Sequence, residues 1–302
     1  TIAASGGDMT GAAVQTALAG GNLSIASTSG SGSGSGSGSN GNINVNDTVS
    51  WSANKLTLTA TNDMNVNAVM TASGTSSLDL EPGSGKVNMG LNSSGFSGRV
   101  DFPGRSGTGF LTIGGLGYTV LSNQVGTPGS ITSTVLPGMS INAAALTGHY
   151  ALGSNIDASA TSSWPGGAGF QPVGNSTNNF TGSFDGLGHT ISNLYINRGS
   201  TDYVGLFGYS SGTLRNVGLV GGSITGRNRV GGLAGLNSGN ISNAYATGSV
   251  SGDLVVGGLV GYNYIGGRIT SSHATGNVSG TTDVGGLVGW NYTSRFILAS
   301  YA

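Results

Sequence analysis

The stretch Val256-Gly-Gly-Leu-Val-Gly261 decides the fold, because close copies of it recur along the last third of the chain. Its leucine, Leu259, has counterparts at Leu206, Leu233 and Leu287, at spacings of 27, 26 and 28 residues. An internal period of this length is typical of proteins built from stacked repeats that contact only their neighbours. The sequence therefore predicts a repeat array.

A second phrase recurs between these copies, at residues 241–252 and 269–280. Within each repeat, apolar residues alternate over short runs bounded by Gly, Asn and Ser, which is the pattern of short strands. Three strands and three turns would fill one repeat, and the strands would pair in parallel with those of the next coil, about 4.8 Å away. We therefore predict an all-β fold, a right-handed parallel β-helix of about eleven or twelve coils.

The composition agrees with a β fold and excludes several functions. The 302 residues include 59 glycines, no cysteine and only 7% charged residues, with a net charge of −1. Disulfides and cysteine chemistry are thereby excluded, and without clusters of Lys and Arg we expect neither nucleic acid nor an anionic membrane as a partner. No apolar run approaches the ~18 residues of a membrane span. Because the chain starts without a signal sequence and stops inside a repeat, we expect a fragment of a longer protein.

The first 126 residues repeat less regularly but show the same alternation. Residues 56–60 and 64–68 predict strands whose Leu56, Leu58, Met64 and Val66 point inward. The Gly/Ser alternation at 29–39 predicts a flexible loop, and residues 10–19 have the composition of a short helix or turn. Residues 127–203 form a turn-rich connecting segment, and the repeats of about 27 residues occupy 204–302.

The repeats resemble the GLUG motif, a Gly-Leu-Gly repeat of bacterial proteins. The resemblance is carried by Val256-Gly-Gly-Leu-Val-Gly-Tyr-Asn263, followed by Ile269 and Ala274-Thr-Gly276. Residues 180–194 and 17–25 are similar to segments of filamentous haemagglutinin-like exoproteins. This resemblance implies a β-helical shaft that is secreted through an outer-membrane partner and displayed on a Gram-negative surface. Adhesion to host-cell receptors or glycans, or a role in biofilm, would be its function.

Parallel β-helices also include polysaccharide lyases and hydrolases, so a carbohydrate-active enzyme is the alternative. Such sites need paired carboxylates or a cluster of acidic residues that binds calcium. Only Asp79 and Glu81 are close in sequence, and in a strand they would share a face. Asp253 and Asp283 fall at equivalent turns about one repeat apart, which leaves stacking open as a second interpretation. We favour a solvated turn for each pair, and predict no enzyme, cofactor or metal site.

The three histidines, His149, His189 and His273, are scattered along the chain. His273 takes the place of Tyr245 in the preceding repeat, which predicts an outward-facing aromatic position. His189 ends the turn Asp-Gly-Leu-Gly-His that begins at Asp185, and we expect a hydrogen bond between these two rather than catalysis.

Four aromatic residues follow the Val-Gly-Gly-Leu phrase in successive repeats: Tyr262, Tyr264, Trp290 and Tyr292. Aromatic faces offer a large apolar area at low entropic cost, so a row of them can stack against sugars or a receptor. The rings would otherwise pack on one another between coils as a stabilising ladder. Both interpretations stay open, and these four are the candidate ligand contacts.

Overall fold

The computed structural model is mostly β and describes residues 1–27, 41–122, 144–164, 166–292 and 296–302. The chain divides into two compact units. The first comprises Thr1–Gln124 and Ala151–Ser154, and the second Val125–Tyr150 and Asn155–Ala302. The predicted Gly/Ser loop at 29–39 lies outside the described residues, as does most of the first part of the predicted connecting segment. The sequence-based boundaries at 126 and 203 stay a prediction.

Within the described residues, the first unit contains one helix and a series of short strands. They are α1 (Gly11–Gly20), β1 (Leu23–Ala26), β2 (Ile43–Val45), β3 (Val49–Trp51), β4 (Lys55–Ala60), β5 (Met64–Val66), β6 (Val69–Ala72), β7 (Ser77–Pro82), β8 (Val87–Met89), β9 (Leu91–Asn92), β10 (Gly95–Phe96), β11 (Arg99–Asp101), β12 (Leu111–Ile113), β13 (Leu116–Gly117) and β14 (Thr119–Leu121).

The remaining strands are equally short, apart from β17 and β20. They are β15 (His149–Leu152), β16 (Ile156–Asp157), β17 (Ser183–Ser192), β18 (Tyr195–Asn197), β19 (Phe207–Ser210), β20 (Thr213–Val220), β21 (Ser223–Thr225), β22 (Asn228–Gly231), β23 (Ala234–Asn237), β24 (Asn240–Ser242), β25 (Tyr245–Ala246), β26 (Ser249–Ser251), β27 (Leu254–Gly257), β28 (Val260–Asn263), β29 (Arg268–Thr270), β30 (His273–Ala274), β31 (Val278–Ser279), β32 (Thr282–Gly285), β33 (Val288–Asn291) and β34 (Phe296–Leu298), with two 3-10 helices at Ala145–Thr147 and Ser159–Ser163.

Parallel pairing between successive repeats organises the first unit. Strands β1, β4, β7 and β12 pair in parallel, as do β2, β5 and β8, and β3, β6 and β11. The predicted inward residues Leu56, Leu58, Met64 and Val66 are fully buried, which confirms the alternation read from the sequence. The core is therefore a stack of aliphatic side chains between neighbouring strands.

Helix α1 occupies the stretch for which the composition left open a short helix or a turn, residues 10–19. The Thr10 side chain accepts a hydrogen bond from the Ala13 amide, and Asp47 accepts one from the Gly11 amide at 2.8 Å. These bonds satisfy amides that a helix leaves free in its first turn. Val14 and Leu18 are buried and α1 packs against β3, so the helix covers part of the core of this unit.

In the second unit, each repeat adds one parallel strand to each of four sheets. The sheets contain β18, β21, β26 and β31; β19, β23, β28 and β33; β22, β27 and β32; and β20, β24, β29 and β34. Val230, Val256 and Val284 are register partners, so the recurring phrase occupies the same place in each layer. We use the word rung for one pass of the chain through these four sheets.

A rung contains more strands than the sequence predicted. The prediction was three per repeat, whereas the rung from β23 to β27 has five. One reason is Asn243, which has a φ of 53° and separates β24 from β25. Its left-handed conformation bends the chain between these two strands.

Paired glycines bring neighbouring rungs close together. A Cβ atom placed on Gly232 would lie 2.6 Å from the Gly258 carbonyl oxygen, and one on Gly258 would clash with the carbonyl of Gly286. The absence of a side chain therefore permits this approach of one backbone to the next.

Non-glycine residues with left-handed backbone also recur at one place in each rung. They are Tyr203, Arg229, Val255 and Asp283, with φ between 51° and 60°. Register partners on either side show that the last three occupy equivalent positions. The surrounding pairing holds this uncommon conformation whichever side chain is present.

Asparagine side chains form hydrogen-bonded ladders between successive paired strands in both units. Asn65 donates its side-chain amide to Asn44 at 2.8 Å, and Asn88 donates to Asn65 at 3.1 Å. In the second unit, Asn237, Asn263 and Asn291 are register partners, and the first two are fully buried. Such ladders satisfy polar side chains between rungs while fixing the register.

Candidate functional site

The four aromatic residues predicted as ligand contacts lie on one side of consecutive rungs. Tyr262 on β28 and Trp290 on β33 are register partners, and Tyr264 and Tyr292 each follow two residues later. The next residue along β28, Asn263, turns its side chain into the interior. Successive side chains of a strand point to opposite faces, so Tyr262 points outward.

Neighbouring rings contact one another between rungs and within them. The Tyr262 ring centroid lies 5.6 Å from that of Trp290 and 5.3 Å from that of Tyr264, and the Tyr264 and Tyr292 centroids are 5.4 Å apart. These tilted and edge-on geometries are the favourable ones for aromatic pairs. The ladder interpretation is therefore confirmed.

The rings nevertheless keep accessible faces. Trp290 is 50% exposed, and Tyr262, Tyr264 and Tyr292 are partly exposed. Burial raises the pKa of Tyr262, and the neighbouring Tyr264 and Tyr292 raise it further, so its hydroxyl stays a neutral donor at physiological pH. Packing on one another and binding a ligand are compatible here.

Sequence reasoning missed three residues of the same surface. Tyr203 and Tyr209 stack with their centroids 6.4 Å apart, and the guanidinium carbon of Arg229 lies 5.0 Å from the Tyr203 centroid and 5.8 Å from the Tyr262 centroid. Tyr209 was detectable, because it follows the last glycine of its phrase just as Tyr262 does. We name the following seven residues the aromatic surface: Tyr203, Tyr209, Arg229, Tyr262, Tyr264, Trp290 and Tyr292.

The candidate carboxylate pair of the first unit is tied to its neighbours. Asp79 forms an ion pair with Lys55 at 2.8 Å and accepts a hydrogen bond from Thr112. Burial acts to raise the pKa of Asp79, but the bonds from Lys55 and Thr112 outweigh it and the pKa is lowered. Burial raises the pKa of Glu81, as does its hydrogen bond with Asp79, while the Gly115 amide donates to Glu81 at 3.0 Å.

His273 is buried, so the prediction that it faces outward was wrong. Its ring is stacked between those of Tyr245 and Tyr301, with centroids 5.1 and 4.9 Å away. The physical reason is Gly218, the register partner of Tyr245, which has no side chain to occupy the space that the Tyr245 ring fills. Burial lowers the pKa of His273.

The other histidines lie apart from one another in the second unit. The Nδ1 atom of His149 is 2.6 Å from the Ser183 hydroxyl, and that of His189 is 3.2 Å from the Asn155 side-chain oxygen. Asp185 is fully buried and accepts a hydrogen bond from the Leu187 amide at 2.9 Å. The expected bond between Asp185 and His189 stays a prediction.

Asp253 and Asp283 do not occupy equivalent positions, so the equivalence read from the sequence was wrong. Leu254 pairs with Thr282, which places Asp253 beside Thr281 and Asp283 beside Val255. In the described part of the chain, no group of three or more His, Cys, Asp or Glu residues is arranged to hold a metal ion. No helix there is long and apolar enough to cross a membrane.

Two of the repeats that carry this surface match the model of a known family. Residues 226–251 and 252–279 match the model of the GLUG motif. These two GLUG repeats contain Arg229, Tyr262 and Tyr264, and the in-register stacking described above is that of successive GLUG repeats.

Two relatives match a larger share of the chain. Halomucin of Haloquadratum walsbyi is 52% identical over 119 residues, covering 37% of this chain. A protein of Evansella cellulosilytica, provisionally described as a Gly-rich membrane protein, is 40% identical over 100 residues, covering 32% of the chain. The chain spans only 1% and 12% of the lengths of these relatives.

One solved structure also matches, a protein of Bacteroides ovatus provisionally described as an immunoglobulin A1 protease. It is 21% identical with a TM-score of 0.43, and the match covers 60% of this chain and 66% of that one.

Proposed function

We propose that this chain is a structural and adhesive segment of a large secreted surface protein, and that its aromatic surface binds glycans. The observation that carries the proposal is the series of partly exposed rings on consecutive rungs, 5.4 to 5.6 Å apart between rungs. This spacing is close to the length of one pyranose unit. A sugar chain running across the rungs would therefore meet a ring at each step, and aromatic faces stack on the apolar faces of sugars.

The scaffold that we propose is a right-handed parallel β-helix. Parallel in-register pairing of successive rungs and an aliphatic core support it. A crossover between parallel strands of one sheet is right-handed in about 98% of cases, which supports the hand. The sequence predicts about eleven or twelve coils, and each coil adds about 4.8 Å along the axis of its own stack.

We further propose that the parent protein is displayed on a Gram-negative cell surface after export by an outer-membrane partner. The resemblance to filamentous haemagglutinin-like exoproteins supports this location. The descriptions of one relative as a mucin by name and of the other as a membrane protein agree with a position at or outside the cell boundary. Host-cell receptors and biofilm glycans are the ligands that fit such a position.

Glycan binding can be tested with the 302-residue chain by affinity electrophoresis in gels containing neutral or acidic polysaccharides. Changing Tyr264 and Trp290 to alanine should weaken binding by about tenfold or more, because two stacking faces are lost. The matched control is Leu116→Ala, which removes an equally exposed apolar side chain, 48% accessible, from the first unit. Equal binding by all three proteins would contradict the proposal.

A carbohydrate-active enzyme is the alternative, and Asp79 with Glu81 is the pair that favours it, because their pKa values are shifted in opposite directions. We propose that no turnover occurs, since Lys55 and Thr112 already bind Asp79. Release of reducing ends or unsaturated products from any of the same polysaccharides, abolished by Asp79→Asn, would favour the enzyme instead.

A further inference from the structure

Arg229 is an arginine of the aromatic surface that forms no ion pair within the described residues. In the described part of the chain its guanidinium contacts only ring faces, those of Tyr203 and Tyr262, and forms no ion pair. The other arginine on the same turn, Arg227, is held by both oxygens of Asp202 at 2.8 and 2.9 Å. Asp202 and Asp253 both attract Arg227, whereas Arg229 acts on Asp202 only through space and keeps its guanidinium N–H groups outside any ion pair of the described residues.

Arg229 is held in a defined position rather than extending freely into solvent. Its backbone has a φ of 56°, it is partly buried, and its side chain lies between two tyrosine rings. The N–H groups of a guanidinium lie in its own plane, so they stay available when its face contacts an aromatic ring. They can then donate two parallel hydrogen bonds to a planar anion. Less entropy is lost on binding when the donor is already placed.

The two ends of this surface also differ in the sign of their charge. Asp283 occupies the position equivalent to that of Arg229 two rungs further along, with Val255 between them, and it is exposed. Two rungs correspond to about 9.6 Å. An acidic group of a ligand is thus attracted at the Arg229 end and repelled at the Asp283 end, where Trp290 and Tyr292 offer neutral stacking faces.

We propose that the aromatic surface binds a polysaccharide that carries carboxylates, with one carboxylate on Arg229 and adjoining sugar rings on Tyr262 and Trp290. This inference rests on the proposed glycan binding and names its ligand class. A single planar guanidinium fits a carboxylate, which it can bind through two parallel hydrogen bonds. Densely sulfated polymers bind instead through clusters of Lys and Arg, and this chain has only 10 such residues in 302.

The test compares polygalacturonate with fully methyl-esterified polygalacturonate, which has the same backbone without the charge, by isothermal titration calorimetry. We expect wild-type protein to bind the acid about tenfold more tightly than the ester, and Arg229→Gln to abolish that difference while still binding the ester. Arg229→Lys should retain only part of the preference, because an ammonium lacks the planar fork.

The control variant is Arg268→Gln, which removes another exposed arginine that lies on an aromatic ring, that of Phe296, outside the aromatic surface. It should leave the preference unchanged, and thermal unfolding should show that both variants fold. Equal binding of acid and ester by the wild type would overturn the acidic ligand while leaving glycan binding standing. Binding of neither polymer would count against glycan binding itself, and a preference for dextran sulfate over polygalacturonate would overturn the carboxylate.

Discussion

The side-chain amide of Asn237 donates a hydrogen bond to the side-chain oxygen of Asn263 on the next rung, with 2.9 Å between the two atoms, and both residues are fully buried. Asn263 in turn donates to Asn291 at 2.7 Å. The chain of amides ends at Ser210, the register partner of Asn237, whose buried hydroxyl has no hydrogen-bond partner within the described residues. Asn263 is therefore the residue that links the ladder, because it bonds to asparagines on both neighbouring rungs.

Changing Asn263 to alanine should lower the free energy of unfolding by about 3 kcal/mol, because three hydrogen bonds are lost and the buried Asn237 amide loses one of its two acceptors. Urea unfolding followed by circular dichroism measures this loss. Asn291→Ala, at the exposed end of the same ladder, is the control and should cost less than about 1 kcal/mol. Equal losses for the two variants would show that the ladder does not act as a unit.

Acid should destabilise the second unit through His273. Its pKa is 6.5 in the unfolded chain and is lowered by burial in the fold, so the unfolded state binds more protons between those two values. Stability is unaffected above about pH 7.5, falls as the pH drops through 6.5, and levels off below the folded-state pKa. His273→Tyr, which matches Tyr245 and Tyr301 in the stack, should flatten this slope.

Thermal unfolding of that variant from pH 8 to pH 5 measures the effect. The control is His149→Gln, which removes a histidine that lies outside the stack and forms a hydrogen bond with Ser183. This variant should keep the loss of stability at acid pH. A slope that persists in His273→Tyr would assign the acid sensitivity to other groups.

Close approach of the rungs at the glycine pairs predicts that a single methyl group is harmful there. Gly258→Ala should destabilise the protein by about 2 kcal/mol, because the added carbon meets the Gly286 carbonyl, which belongs to rigid backbone. Gly199→Ala is the control, since open space surrounds that position, and it should change stability by no more than about 1 kcal/mol. Chemical denaturation of both variants measures these two changes in the free energy of unfolding.

Helix α1 should protect the strands that it covers. Leu18→Ala removes a buried contact and should cost about 2 to 4 kcal/mol, and hydrogen exchange of the amides of β1 and β3 should accelerate. Ala17→Ser, on the exposed side of the same helix, serves as the control. Unchanged exchange in Leu18→Ala would mean that the strands are stable without the helix.

Much of the core was predictable because residues at equivalent positions of successive repeats are buried alike. Leu233 and Leu259 recur in the same phrase and are both buried, and the alternation in β4 correctly placed Leu56 and Leu58 inward. Side-chain alternation is set by backbone geometry alone, so short apolar runs show it directly. Parallel pairing of successive repeats follows from the same regularity.

Other features depend on registers and contacts that the sequence does not display. Asp253 and Asp283 are 30 residues apart, whereas the register step from Val256 to Val284 is 28, so a two-residue difference was enough to mislead. The burial of His273 depends on a glycine two rungs away in the stack. The placement of Arg229 between two rings depends on side-chain reach across rungs, which no local pattern encodes.

The left-handed position shared by Arg229, Val255 and Asp283 separates backbone shape from chemical character. Basic, aliphatic and acidic side chains stand there in turn, and the pairing around each is the same. The charge that a layer carries at this place can therefore change while the surrounding pairing stays the same. Under the glycan binding proposed above, each layer that a protein of this kind adds would bring its own charge to the ligand as well as its own length.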